Sequence, residues 1–370
     1  MGNYRSIKLC EDDPDLFDEE TSEITTSSGL IDFTLHRIVA HPFVILRRQC
    51  QVNAWSRKTH ILPLSLVPVV YRLVDKHKIE ALIKGIHGVL IFDLGVFVCD
   101  GLISVYSGLP SFAFHHQEWN IKIQYYAAKF LGACLVGPAY AAVVQATVQA
   151  TQNTAHRNAL DFLKLVGMRY SVWHIPGSGH PLRRVMPVWI VGPLYGCYFM
   201  AKLLIASTCQ WRLFIWLKHR KDPRRHLPDI ADHQRNEISM YLPSKSKNPS
   251  TKGTLGNLLQ RYEARAVALI FADVLLYPVE TVLNRLCIQG TKVAVDNLDT
   301  GIDAIPTVFS YRSPLQCATN ILRTSGMTGF YKGIGVLFLQ ATLYAVLFGG
   351  ANFLITYFDA ENKKIAEKEE

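Results

Sequence analysis

The sequence predicts an all-α membrane protein of six transmembrane helices, built as three helix–loop–helix repeats. Three observations predict it. About half of the 370 residues are hydrophobic and only 19% are charged, and the apolar residues come in long blocks. Ile334 to Phe358 is an uncharged apolar run long enough, at about 1.5 Å per residue, to cross a hydrocarbon core of about 30 Å. A proline inside an apolar segment recurs at Pro42 and Pro138, 138 − 42 = 96 residues apart, and again at Pro278. A recurrence on that scale marks a repeat architecture.

Residues 1-29 read as an acidic tail. Its run from Glu11 to Glu20 can bury almost nothing and stays solvated. Transit peptides are Arg-rich and acid-poor, so no cleaved presequence is expected and targeting falls to internal segments. Met1-Gly2-Asn3-Tyr4-Arg5-Ser6 fits the myristoylation pattern at Gly2, beside Cys10 as a palmitoylation candidate. One acyl chain adds little to a protein that already spans.

Repeat 1 occupies 30-110. Its first helix is poorly apolar, with Asp32, His36, Arg37 and His41 before Pro42, and such groups belong on a polar interior or near an interface. Leu66, Val69, Val70, Leu73 and Val74 recur at helical spacing and predict an amphipathic surface helix. Ala81-Leu82-Ile83-Lys84-Gly85 leads into a second span, Gly85 to about Tyr106. That span carries Asp93 and Asp100 on one face, expected to line the interior; cation binding is the second reading.

Repeat 2 occupies 111-217. Its first span, Phe130 to Ala150, is rich in the small residues that let helices approach closely in lipid. Leu160, Leu163 and Val166 suggest a second surface helix, and Ile175 to Pro181 is a breaker cluster, a turn rather than a phosphate loop. The fourth span runs from Val185 to about Leu217. His115-His116 before Trp119 reads as an interfacial polar pair rather than a metal site.

Residues 218-256 form a basic insert that opens with Lys218, Arg220, Lys221, Arg224 and Arg225. A juxtamembrane cluster of this kind can hold anionic headgroups of mitochondrial membrane lipids, or act only as a solvated topology signal. The chain carries a net charge of +9, yet no aromatic or helix-turn-helix pattern accompanies the cations, so nucleic acid is not an expected partner. Repeat 3 occupies 257-358 and a charged tail 359-370. The eight cysteines are widely spaced without Cys-x-x-Cys, which favours reduced, packed thiols. No enzyme, cofactor or metal signature is found.

Repeat 3 carries the family resemblance. Tyr277-Pro278-Val279-Glu280, Arg285, Gln289 and then Gly329-Phe330-Tyr331-Lys332-Gly333 resemble the signature of the mitochondrial carrier family (solute carrier family 25). Ala40-His41-Pro42 and Leu46-Arg47-Arg48-Gln49 resemble a worn first copy, and the likeness extends over about 30 to 358. It is strongest to the outer-membrane branch of the family linked to mitochondrial shape.

The resemblance implies the carrier fold, with the repeats around a pseudo-threefold axis and the surface helices on one side. It also implies a ring of three ion pairs that closes one end of the pore. The acid positions fall on Val44, Tyr140 and Glu280, and the base positions on Arg47, Val143 and Leu283. Glu280 and Arg47 are therefore the expected pair, with Asp273 and Arg285 as candidate members of the same network; the second reading is that each caps or snorkels alone. Metabolite carriers hold anions with cations midway along the even-numbered helices. The second and sixth spans offer none, and an anion stripped of water there would gain no partner.

The resemblance further implies a multi-pass outer mitochondrial membrane scaffold acting in fusion, fission and cristae organisation. Its expected partners are fusion and cristae-organising proteins, with lipid transfer between membranes as an accompanying role. The alternative is an inner-membrane transporter of a neutral, cationic or lipid substrate.

Overall fold

The computed structural model describes residues 34–56, 58–107, 119–150, 158–174, 185–221, 251–291, 293–300 and 303–369. Gly2, the acidic tail, His115-His116, the 175–181 turn, Arg224 and Arg225 lie outside the described residues. Two units are distinguished, Met1–His41 and Pro42–Glu370. In the first, Thr34–Val39 forms a π-helical turn.

Among the described residues the second unit is mainly helical, with one hairpin. In chain order its elements are α1 (His41–Val52), α2 (Val67–His77), α3 (Glu80–Ile83), α4 (Ile86–Ser107), α5 (Trp119–Val148) and α6 (Ala159–Tyr170). There follow α7 (Val188–Lys221), α8 (Thr251–Ile288), β1 (Ala294–Asp296), β2 (Ala304–Pro306), α9 (Pro314–Ser325) and α10 (Ile334–Glu369). The order is that of three repeats: a long helix, a short surface helix (α2, α6, α9), then a second long helix.

Among the described residues five helices, rather than six, are long and apolar enough to cross a membrane: α4, α5, α7, α8 and α10 with the turn before it. The first helix falls short. At 12 residues α1 reaches only about 18 Å. It carries Arg47, Arg48, Gln49 and Gln51, all buried, which lowers its hydropathy. At the other end α10 does not stop at Phe358 but continues helically to Glu369.

Glycines set a close contact between α5 and α7. A Cβ on Gly137 of α5 would lie 2.7 Å from the Gly192 Cα of α7, and one on Gly192 would lie 2.7 Å from the Cys134 carbonyl oxygen. Only backbones without side chains can approach this far.

The surface helices bury one stripe each. In α2, Val69 and Leu73 are buried beside Leu66, as the spacing predicts. α6 is the expected second surface helix; Phe162, Leu165 and Arg169 are its buried stripe, Val166 packs against the core, and Leu160 and Leu163 are exposed. Two contacts fix that choice. The Phe162 ring fills the space beside Gly88 on α4, and the Arg169 guanidinium donates to Gln145 Oε1 (2.7 Å) and the Cys287 carbonyl (2.8 Å). Leu160 and Leu163 lie on a face that can offer neither.

The Lys-Gly turns before α4 and α10 are built alike. Gly85 and Gly333 both take positive φ, +71° and +81°, a region that glycine enters without a Cβ penalty. Lys84 and Lys332 are both buried, and Lys332 Nζ donates to the carbonyls of Ala54 (3.2 Å) and Ser56 (3.0 Å). The weak first copy of the turn thus has the geometry of the third.

Candidate functional site

The charged knot lies where α1, α7 and α8 meet. Asp273 and Glu280 are seven residues apart on α8, so they share a face one above the other. Arg47 of α1 reaches both: Nη1 donates to Asp273 Oδ2 at 3.1 Å and Nη2 to Glu280 Oε1 at 3.0 Å. Lys202 of α7 completes it, with Nζ 2.5 Å from Asp273 Oδ1. Two cations therefore meet two carboxylates, and Arg47, Asp273 and Glu280 are all buried. The Arg fork matches two separate carboxylates, which a lysine could not do with fixed geometry.

Lys202 was missed in reading the sequence. The signal was a lone lysine inside the apolar fourth span, between Ala201 and Leu203. It is the mid-helix cation that the second and sixth spans lack, but its ammonium is taken by Asp273 and is not offered to a solute.

Arg285 does not join the knot. Five residues beyond Glu280 it is turned about 140° around the helix. Its Nε donates to the Gln51 carbonyl at 2.9 Å, and its guanidinium lies 6.0 Å from the Phe309 ring centroid. It ties α8 to the end of α1 instead.

The other two ring positions hold neutral contacts. Tyr140, at the acid position of repeat 2, donates to Asn284 Oδ1 at 3.2 Å and offers its ring face to Arg48 at 5.3 Å. Arg48 Nη1 donates to Thr147 Oγ1 at 3.1 Å. Val143 and Leu283, at the base positions, are buried in the apolar core. The junctions of repeat 2 thus rest on an aromatic face, an amide and aliphatic packing. Arg169 also reaches this level from α6, and burial pulls its guanidinium down from the ordinary arginine range.

Asp100 does not form a free acidic face with Asp93. It pairs with Lys129 of α5 at 2.8 Å, because α5 begins at Trp119, a full three turns before Phe130, and carries that lysine to the end of α4. A bound cation would have to displace Lys129. Among the described residues no group of three or more His, Cys, Asp or Glu side chains could hold a metal ion. Of the basic cluster, Lys218, Arg220 and Lys221 lie on the last turn of α7.

Comparison with known proteins agrees with this architecture. The family described as "Mitochondrial carrier protein" matches residues 256–359. The chain is similar to "Solute carrier family 25 member 46-A" of Xenopus laevis, 30% identical over 348 residues, which cover 90% of this chain and 78% of the relative. It is similar to "Mitochondrial outer membrane protein SLC25A46" of Danio rerio, 32% identical over 86% of this chain and 74% of the relative. The protein of that name from Gallus gallus is 30% identical over 86% of this chain and 73% of its own length.

Proposed function

The chain belongs to the mitochondrial carrier family, in the branch of solute carrier family 25 member 46, and from that premise we propose that it is a carrier-derived scaffold rather than an exchanger. It is a multi-pass protein of the outer mitochondrial membrane. It docks fusion, fission and cristae-organising proteins through its exposed helix faces and loops, and lipid transfer between membranes accompanies that docking. No step of this role calls for catalysis.

One observation carries the reading: of the three acid–base ring positions that the resemblance implies, only that of Glu280 and Arg47 holds an ion pair. A gate made of charge pairs works because each pair is strong when dry and exchanges for water when open. Tyr140 on Asn284, and Val143 and Leu283 in the aliphatic core, gain little from water and have no such second state. Lys202, midway along the fourth span, is held by Asp273. An anionic metabolite would have to break that buried pair to bind.

The alternative, an inner-membrane transporter, is tested together with it. Protease added to intact mitochondria is expected to clip the chain in its 222–250 insert or its N-terminal tail. Full protection until the outer membrane is ruptured would reject the scaffold reading, as would saturable exchange of a defined solute by the purified chain in liposomes.

A further inference from the structure

The segment after α8 is a β-hairpin laid across the end of the bundle. We propose that this hairpin, residues 293–307, is a fixed strap that seals the loop-side end of the barrel and leaves it unable to open there. The inference rests on the scaffold reading above and gives it a physical cause that is separate from the charged knot.

The strap touches all three repeats. β1 pairs antiparallel with β2, Val295 opposite Ile305, and the pair is closed by Thr307 N on the Val293 carbonyl at 3.0 Å. Towards repeat 2, Gln149 bridges to Val295, and Ala150 N donates to the Ala294 carbonyl at 2.7 Å. Towards repeat 1, Asp296 Oδ2 accepts from Lys84 Nζ at 2.6 Å and from Gln49 Nε2 at 3.2 Å. Lys84 also donates to the Gln149 carbonyl at 2.9 Å, so one ammonium joins the strap to both repeats. At the tip, Asp299 Oδ1 accepts from Ser56 Oγ at 2.7 Å, and Arg72 Nη1 donates to the Thr300 carbonyl at 3.3 Å.

Its apolar side is equally committed. Val293 and Val295 are buried in one cluster with Val52, Val148 and Ile288, the last residues of α1, α5 and α8. Leu298 is buried in a second cluster among Leu46, Leu66 and Leu73. Val295 is buried in the same apolar cluster as the ends of those three helices. Lifting the strap would expose three aliphatic side chains, separate the buried Lys84–Asp296 pair and leave the Ala294 carbonyl and the Ala150 amide unpaired, all in one step. Each of these costs free energy without a compensating partner.

Two measurements test it. The purified full-length chain and a variant with 293–307 replaced by a Gly-Ser linker of equal length are placed in liposomes loaded with carboxyfluorescein. The unaltered chain is expected to retain the dye and the linker variant to release it at least tenfold faster. Retention by both overturns the strap and leaves the scaffold reading standing. Solute exchange by the unaltered chain rejects the scaffold reading itself. The second measurement does not depend on that variant folding. Val295→Cys and Val308→Cys are treated in the membrane with a water-soluble maleimide, each cysteine being followed by peptide mass. Val308 is 56% exposed and Val295 1%. The expected result is labelling at least tenfold slower at 295; equal rates at both positions overturn the strap.

Discussion

Arg47 and Asp273 stand 226 residues apart in the chain and 3.1 Å apart in the fold. With Glu280 and Lys202 they make a neutral four-charge cluster, and its stability depends on keeping the count even. Arg47→Met would leave Glu280 buried without a cation. A loss of about 3–5 kcal/mol is expected for breaking a buried pair, read as a lowered denaturant midpoint in detergent. Arg47→Met combined with Glu280→Met removes one charge of each sign and keeps Lys202 on Asp273, so most of the loss should return. A double variant as unstable as the sum of the two singles would mean that these charges do not act as one cluster.

Much of this cluster could be read from the chain. The family resemblance placed Glu280 at an acid position and Arg47 at a base position of two repeats, and the seven-residue step from Asp273 to Glu280 put both acids on one face. What pattern could not supply was the angle at which a neighbouring helix presents its side chain. Lys202 was hidden for that reason, and Arg285, one turn and a half past Glu280, was assigned to a network that its own helical rotation excludes. The hairpin was missed for another reason. Its β-branched pair, Val293 and Val295, and its turn residues from Asn297 to Thr300 are a strand-and-turn signal, but they sit in a segment that looks polar on average. The surface helix α6 was legible in Leu160, Leu163 and Val166, whereas Arg169, which ties it to Gln145 and Cys287, gave no apolar signal.

The tyrosine at the acid position of repeat 2 gives a second prediction. Tyr140→Phe keeps the ring under Arg48 and loses one hydrogen bond to Asn284, at a cost of about 1 kcal/mol. Tyr140→Leu also loses the cation–π contact, worth a further 0.5–2 kcal/mol or so. Thermal unfolding should therefore rank unaltered chain, Tyr140→Phe, then Tyr140→Leu. Equal melting of the two variants would show that Arg48 takes nothing from the ring.

Glycines with positive φ give a graded set. Gly326, at +65°, has no neighbouring atom within 4 Å of where a Cβ would sit. Gly326→Ala should therefore cost only the backbone penalty of about 1–2 kcal/mol. At Gly333, +81°, the added carbon would collide with the Cβ of Cys50, and overpacking adds a further 1–3 kcal/mol or so. Gly333→Ala should lower the melting temperature clearly more than Gly326→Ala. The reverse order would show that α10 does not enter the bundle by this close approach to α1.

The last prediction concerns pH and the loop that holds this turn in place. His60 is buried, its Nδ1 lies 3.2 Å from Ser65 Oγ and its Nε2 3.7 Å from Asp299 Oδ1. Burial pulls the imidazole below its ordinary value. The Asp299 carboxylate partly opposes that pull, while the Lys58 ammonium adds to it. The folded chain therefore binds a proton less readily than the unfolded chain, whose histidine titrates near 6.5. The stability linked to His60 is fully present above that pH and is lost as pH falls towards the lower folded value. Its loop backbone accepts from α10, through the Gly333 amide on Thr59 and the Gly335 amide on His60. Hydrogen exchange at those two amides should accelerate as pH drops from 7.5 to about 5.5, after correction for the intrinsic rate, and His60→Gln should flatten the response. Protection that rises on acidification would mean that Asp299 outweighs burial and holds the ring as a cation.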